Sequence, residues 1–425
     1  MALKILMLTN TYLPHVGGVA RSVHSFAEAL RKRGHRVVIV APTFEGTPRH
    51  EAHVIRVPAI QNFNGSDFSV RLPVPGLLTR AMESFQPDII HSHHPFLLGD
   101  TALRLATWHN RPLVFTHHTM YEQYTHYVPG DSPAMKHFVI RLATDYCNLC
   151  DHVIAPSESI RDMLHERGVR RPTTTVPTGI DANVFGQGDG SRAREQYDIP
   201  TDAFVIGHVG RLAPEKNLSL LAHAAAGVAK DHPQVHVLIV GSGPSEPAIR
   251  EAFREQRVAD RLHLTGSLKG QSLVDAYHAM NLFGFASMSE TQGMVLAEAM
   301  TAGVPVVAID APGAREVVVD GATGRLLPTP DQASLRDALA DIVKRSDSNL
   351  AQLAAAARER AEAFSLEQCT QRLIDLYEEM LEGEPLDDRH ADNGWTRTLR
   401  MIETEWNLWN SRTEAVWDSL RQEET

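Results

Sequence analysis

The residues best suited to chemistry are two carboxylates, two cations and a pair of glycines. Glu290 and Glu298 stand in an E-x7-E spacing within A-S-M-S-E-T-Q-G-M-V-L-A-E-A-M-T-A-G-V-P, residues 286–305. This stretch reads as strand, short loop, helix, glycine cap and strand. Glu290 falls in the loop, and Glu298 falls further along the helix. Thr291, Gln292, Gly293, Met294 and Val295 are expected to present the first backbone N–H groups of that helix, which no intrahelical carbonyl satisfies. Such an end suits an anion like a diphosphate, while carboxylates accept from paired sugar hydroxyls. Arg211 and Lys216 sit in G-H-V-G-R-L-A-P-E-K-N, residues 207–217, a strand followed by a turn. Two cations there can neutralise a diphosphate leaving group; a solvated turn with incidental charges is the other reading. Gly17 and Gly18 follow the first expected strand. They allow close backbone approach to a phosphate or an acceptor, or simply a tight turn.

Histidines cluster in D-I-I-H-S-H-H, residues 88–94, and in T-H-H-T-M-Y-E-Q-Y-T-H-Y, residues 116–127. Imidazole is a frequent zinc ligand, but these spacings match no standard zinc pattern. For His91 and His93 the plain alternative is hydrogen bonding at a strand end. Cys147 and Cys150 form a C-x-x-C with no second pair for zinc. They read as two small apolar residues on one helix face rather than as a redox couple. With Cys369 the chain has three cysteines, which argues against a disulfide framework and for a reducing, cytoplasmic setting.

The elements that position these residues alternate between strand and helix. Residues 3–8 form a short apolar run, as in a parallel strand covered on both faces. Residues 20–32 have helical periodicity, with Arg31, Lys32 and Arg33 at the end and Gly34 as a left-handed cap. Further strands are expected at 37–40, 54–57, 89–90, 114–116, 153–155 and 174–176. Residues 186–191, G-Q-G-D-G-S, read as part of a linker. The rhythm then restarts, with strands at 203–208, 235–240, 262–265, 282–286 and 304–309 and a helix at 218–230. An α/β chain of two Rossmann-like domains follows, with ligands expected in the cleft between two facing sheets. The expected division is residues 1–185, a linker over 186–200, a second domain over 201–365, and C-terminal helices over 366–425. The first of those helices is expected to cross back toward the N-terminal domain.

The 425 residues are 43% hydrophobic and 22% charged, a globular composition, and no apolar run reaches a membrane span. Net charge is −11, unevenly spread: residues 1–180 carry 18 Lys and Arg against 14 Asp and Glu. A mildly basic first part could face an anionic lipid surface, or the charge could drift without purpose. In the tail, Trp395, Leu399, Ile402, Trp406, Trp409, Val416 and Leu420 form an amphipathic stripe. It suits packing on its own chain, dimerisation, or an interfacial anchor; the acidic balance fits an anchor poorly.

On these motifs the sequence resembles glycosyltransferase family 4, retaining enzymes of the GT-B fold. The E-x7-E context, the G-R-L-x-x-E-K-N element and the P-x-x-G-G loop at Pro14–Gly18 carry the likeness. The resemblance implies that Glu290 contacts the donor sugar, Glu298 the ribose, and Arg211 and Lys216 the diphosphate. It also implies that His118 lies beside the reacting carbon. Glu290, His118, Arg211 and Lys216 are thus the expected catalytic set. Gly17, Gly18 and residues 291–295 line the donor site with them.

The run at 116–127, with S-E-T-Q-G at 289–293, is similar to bacterial 1,2-diacylglycerol 3-α-glucosyltransferases. That likeness implies UDP-glucose as donor and a lipid acceptor, with His118, Tyr121, Tyr124 and His126 as acceptor residues. These aromatics could equally be packing residues. It also implies no obligate metal, no permanently bound cofactor and no nucleic-acid partner. The implied location is peripheral, on the inner face of the cell membrane. Other readings are a soluble sugar or polyol acceptor, a GDP-mannose donor, or a catalytically silent sugar-nucleotide-binding protein.

Overall fold

The computed structural model describes residues 1–15, 17–48, 51–60, 70–71, 82–123, 132–383 and 404. The chain divides into two compact units, Met1–Gly179 with Cys369–Thr425, and Ile180–Gln368.

In the first unit the order is β1 (Lys4–Leu8), α1 (Gly18–Lys32), β2 (Arg36–Pro42), β3 (Val54–Val57), β4 (Ala59–Ile60), β5 (Val70–Arg71), β6 (Ile89–Ser92), α2 (Leu98–His109), β7 (Leu113–Thr116), α3 (Pro133–Leu149), β8 (His152–Ala155), α4 (Glu158–Glu166) and β9 (Thr173–Thr175). A parallel sheet runs β3-β2-β1-β6-β7-β8-β9, and β4 and β5 form a separate antiparallel pair. In β1, successive side chains serve opposite faces. Ile5 and Met7 join Val23, Phe26 and Leu30 of α1 in one core, while Leu6 and Leu8 join Leu98, Phe115 and Tyr146 in the other. Helix α1 stops where Gly34, at φ 89°, turns the chain left-handed. The amides of Gly34 and His35 then reach back to the carbonyls of Arg31 and Leu30.

In the second unit the order is α5 (Ala182–Phe185), α6 (Gly190–Gln196), β10 (Phe204–Val209), α7 (Leu218–Asp231), β11 (Val235–Val240), α8 (Glu246–Glu255), β12 (Leu262–Leu264), α9 (Gln271–His278), β13 (Leu282–Phe285), α10 (Met294–Thr301), β14 (Val306–Ile309), α11 (Ala314–Val317), β15 (Gly324–Leu327), α12 (Gln332–Val343) and α13 (Asp347–Glu362). The parallel sheet runs β12-β11-β10-β13-β14-β15. The last described helix, α14 (Leu366–Glu382), buries Cys369, Leu373, Leu376 and Tyr377 in the core that holds Ile5 and Val23.

The expected strands and the helices at 20–32 and 218–230 are present, with ends shifted by a residue or two. The glycine-rich 186–200 stretch differs: it is folded rather than an open connector. Asp189 caps α6 by accepting from the amides of Ser191 and Arg192. Ala193 and Ile199 are buried in the second unit's core. Gly188 and Gly190 pass so close to His278 that a Cβ at either would clash with it, so those glycines serve close approach, not flexibility. The tryptophan-bearing stripe of residues 395–420 lies outside the described residues, as do Tyr124 and His126. No helix among the described residues is long and apolar enough to cross a membrane.

Candidate active site

In each sheet the strand order reverses beside the first strand, between β1 and β6 and between β10 and β13. Open parallel sheets take ligands beyond the strands' carboxyl ends at such a point. Several of the residues singled out in the sequence follow these strands. Gly17 and Gly18 follow β1, and His93 and His94 follow β6; Arg211 and Lys216 follow β10, and Glu290 follows β13.

In the second unit Lys216 ends a short 3-10 turn, Pro214–Lys216, and Asn217 at φ 52° redirects the chain into α7. Lys216 Nζ donates to Glu290 Oε1. Arg211 Nη2 donates to Glu215 Oε1. The Arg211 side chain is exposed and that of Glu215 is buried. The second oxygen of Glu215, Oε2, is buried without a hydrogen-bond partner. Each cation expected on a diphosphate therefore already faces a carboxylate.

Helix α10 begins later than the sequence suggested. Thr291 and Gln292 precede it, Gly293 is its N-cap at φ 71°, and Met294 and Val295 open the first turn. The reason is a close crossing. A Cβ at Gly293 would meet the Gly313 carbonyl oxygen at 3.1 Å, and one at Gly313 would meet the Gln292 backbone at 2.8 Å. Glu298 is fully buried, and its Oε2 accepts from the Tyr277 hydroxyl at 2.6 Å.

In the first unit the two histidine runs meet. His93 Nδ1 and His118 Nε2 lie 2.9 Å apart. His91 is held on both nitrogens, by the Tyr377 hydroxyl at 2.7 Å and the Thr116 hydroxyl at 2.7 Å. Burial pushes His91 and His94 down to about 3 and His117 to about 4, so these rings are neutral at pH 7. Burial, then the neighbouring histidines, holds His93 and His118 well below the usual range. A small cavity with room for about one water lies among Ser22, His91, His93, His118 and Thr178. Tyr121 packs against Phe96 and His117, with ring centroids 5.2 and 5.9 Å away. Cys147 and Cys150 are buried thiols, and burial raises both far above their usual range, as packing residues would show. Among the described residues no group of three or more histidine, cysteine, aspartate or glutamate side chains is arranged to hold a metal ion.

Gly17 is the N-cap of α1 at φ −165°, extended backbone that any residue adopts. A Cβ on Gly18 would meet nothing within 4 Å. A Cβ on Gly17 would press on the His15 ring at 3.3 Å, so the fold leaves room at Gly18, and at Gly17 only by a shift of His15.

The glycosyltransferase family 4 model matches residues 16–184, and the glycosyl transferases group 1 model matches residues 189–361. The alpha-monoglucosyldiacylglycerol synthase of Streptococcus pneumoniae is 30% identical over 76% of this chain and 75% of its own length. The chain belongs to glycosyltransferase family 4. The GDP-mannose-dependent alpha-mannosyltransferase of Mycobacterium tuberculosis is also 30% identical, over 80% of this chain and 88% of its own. Among solved structures, Anabaena HepE in complex with UDP and glucose superposes with a TM-score of 0.69 at 22% identity. That match covers 88% of this chain and 99% of the HepE chain. The two parallel-sheet, Rossmann-like units thus make the GT-B architecture, and the protein is a hexosyltransferase.

For a family 4 enzyme, the structure brings Lys216 to Glu290 and His118 to His93. It sets Glu298 apart, on a buried tyrosine. Sequence reasoning missed Glu215, Tyr277, His208 and Tyr377. Glu215 and His208 stand inside the quoted motif, but their burial is set by tertiary packing. Nothing in local sequence marks Tyr277 as the partner of Glu298.

Proposed function

We propose that this enzyme transfers glucose from UDP-glucose to a hydroxyl of diacylglycerol, with retention at the anomeric carbon. The Lys216–Glu290 pair at the switch point of the second sheet carries the donor half of this reading. A donor diphosphate would draw Lys216 and Arg211 from their carboxylates and free Glu290 for sugar hydroxyls. The bond from the anomeric carbon to the diphosphate breaks, and its electron pair stays on the phosphate oxygen. The acceptor oxygen bonds to the same carbon on the same face, and its proton passes to the leaving phosphate. Lys216, Arg211 and the first amides of α10 stabilise the charge that develops. No protein nucleophile is assigned.

The acceptor side rests on the first unit, with His118 beside the reacting carbon and Tyr121 along the acceptor. The likeness to the glucosyldiacylglycerol synthase supports the lipid. The basic balance of residues 1–180 suits an anionic membrane surface. The equal identity to a GDP-mannose-dependent mannosyltransferase supports a second reading, mannose as the group transferred.

The deciding experiment screens UDP-glucose, UDP-galactose and GDP-mannose against diacylglycerol in vesicles and against soluble sugars and polyols. Products are identified by mass spectrometry and anomeric NMR. α-Glucosyl diacylglycerol, with UDP released, is the expected result. Mannose transfer with UDP-glucose untouched would support the second reading. Release of no nucleotide with any acceptor would leave a sugar-nucleotide-binding protein.

A further inference from the structure

His208 sits on β10, one residue before its carboxyl end, and is 1% exposed. Its ring stacks on Phe283 and Phe285 of β13, with centroids 5.9 and 6.2 Å away and planes within 25° and 26° of parallel. Nδ1 lies 3.1 Å from the carbonyl oxygen of Gly284. A carbonyl only accepts, so Nδ1 carries the proton. Burial also holds the group down to about 4, so the ring is neutral at pH 7. Nε2 is left with a lone pair, buried and without a hydrogen-bond partner. An unmet buried acceptor carries its full desolvation cost, so it is a place where a donor group gains most.

The surroundings narrow the donor. A Cβ at Gly210 would come within 3.3 Å of Nε2, so the absence of a side chain there keeps the lone pair approachable. Lys216 follows the strand that carries His208, and Glu290 follows β13, the neighbouring strand whose Phe283 and Phe285 stack on the ring; the charges of both act on it. An ammonium can donate to more than one acceptor, so its bond to Glu290 does not preclude one to His208.

We propose that His208 is a positioning residue for Lys216 in nucleoside diphosphate binding. Its Nε2 accepts from the Lys216 ammonium, directly or through one water, when the diphosphate draws Lys216 from Glu290. The lysine stem is flexible, and a fixed acceptor holds its end in place once the carboxylate has left. A neutral imidazole does this without cancelling the charge that the diphosphate needs. This inference rests on the proposed role of Lys216.

The test is calorimetric titration of UDP, and of GDP, into the full chain and its variants. His208→Phe keeps the aromatic stack and deletes the acceptor. Gly210→Ala leaves the ring and sets a methyl against Nε2, so it serves if the first variant fails to fold. Each is expected to weaken nucleoside diphosphate binding roughly tenfold, the worth of one hydrogen bond to a charged group. In a Lys216→Met background neither is expected to weaken it further. Wild-type affinity in both variants, or an equal loss in the Lys216→Met background, would overturn the role of His208 alone. Wild-type affinity in Lys216→Met would overturn the diphosphate role of Lys216 and this inference with it.

Discussion

Lys216 and Glu290, 74 residues apart in sequence, are joined by a hydrogen bond from the ammonium to a carboxylate oxygen. The two come from loops after adjacent strands, β10 and β13, so the fold brings together one residue expected on the phosphates and one expected on the sugar. The pair neutralises itself until a ligand competes for both partners. Lys216→Ala is expected to weaken UDP binding and to lower kcat/KM by roughly 10²–10³, the loss typical of one charge-stabilising group. Glu290→Gln is expected to keep or tighten UDP binding, because UDP no longer displaces a carboxylate from Lys216, and to lose turnover, because the sugar loses its acceptor. Steady-state kinetics beside UDP titration separate the two. Near-normal transfer by both variants would place the donor site elsewhere.

The Tyr277–Glu298 bond is wholly internal to the second unit, at 2.6 Å. Tyr277→Phe strips a buried carboxylate of a donor and is expected to cost about 1–3 kcal/mol. A lowered midpoint in urea unfolding, with UDP affinity reduced in step, is the anticipated result. A midpoint unchanged from wild type would show that this bond does not hold Glu298.

Acid should destabilise the first unit through its histidines. His91 and His94 are pushed down to about 3 and His117 to about 4 by burial, whereas an unfolded chain titrates near 6.5. The unfolded chain therefore binds protons that the folded chain refuses. Stability is full above about pH 7. It falls as pH drops through 6.5 toward 4, by about 1.4 kcal/mol per pH unit for each such histidine. His91→Gln should flatten the slope by about one histidine's share. Urea unfolding between pH 7.5 and 4.5 measures it, and an unaltered slope would mean that His91 does not carry this effect.

Two glycines should respond in opposite ways. Gly313 has φ 81° and faces the Gln292 backbone, so Gly313→Ala is expected to cost about 1–2 kcal/mol and to disturb the turn before α10. Gly18 opens α1 with nothing within 4 Å of an added Cβ. Gly18→Ala is expected to keep or slightly raise the melting temperature while transfer falls, because the family resemblance puts Gly18 at the donor. Full activity in Gly18→Ala would return that glycine to the role of an ordinary helix start.

Much of the architecture was legible because it is local. Apolar runs such as residues 5–8 and 235–240, separated by helical periodicity, announce parallel strands covered on both faces. The S-E-T-Q-G loop and the turn with Arg211 and Lys216 were placed at strand ends by the same rhythm. The start of α10 was misjudged by three residues, because the crossing of Gly293 with Gly313 is a contact between segments 20 residues apart. The 186–200 stretch was misjudged for a similar reason. Its glycines read as part of a linker, but His278 stands against Gly188 and Gly190.

The sequence by itself determined the two alternating halves and the family, and singled out candidate residues for chemistry, since periodicity, turn residues and motif spacing are short-range properties. Tertiary structure decided how those residues are occupied. It paired Lys216 with Glu290, Arg211 with Glu215, Glu298 with Tyr277 and His93 with His118. It also left His208 with a buried lone pair. Such partnerships depend on which strand ends become neighbours and on how much water the packing removes. Both are set by the whole fold, and neither is written in the spacing of residues along the chain.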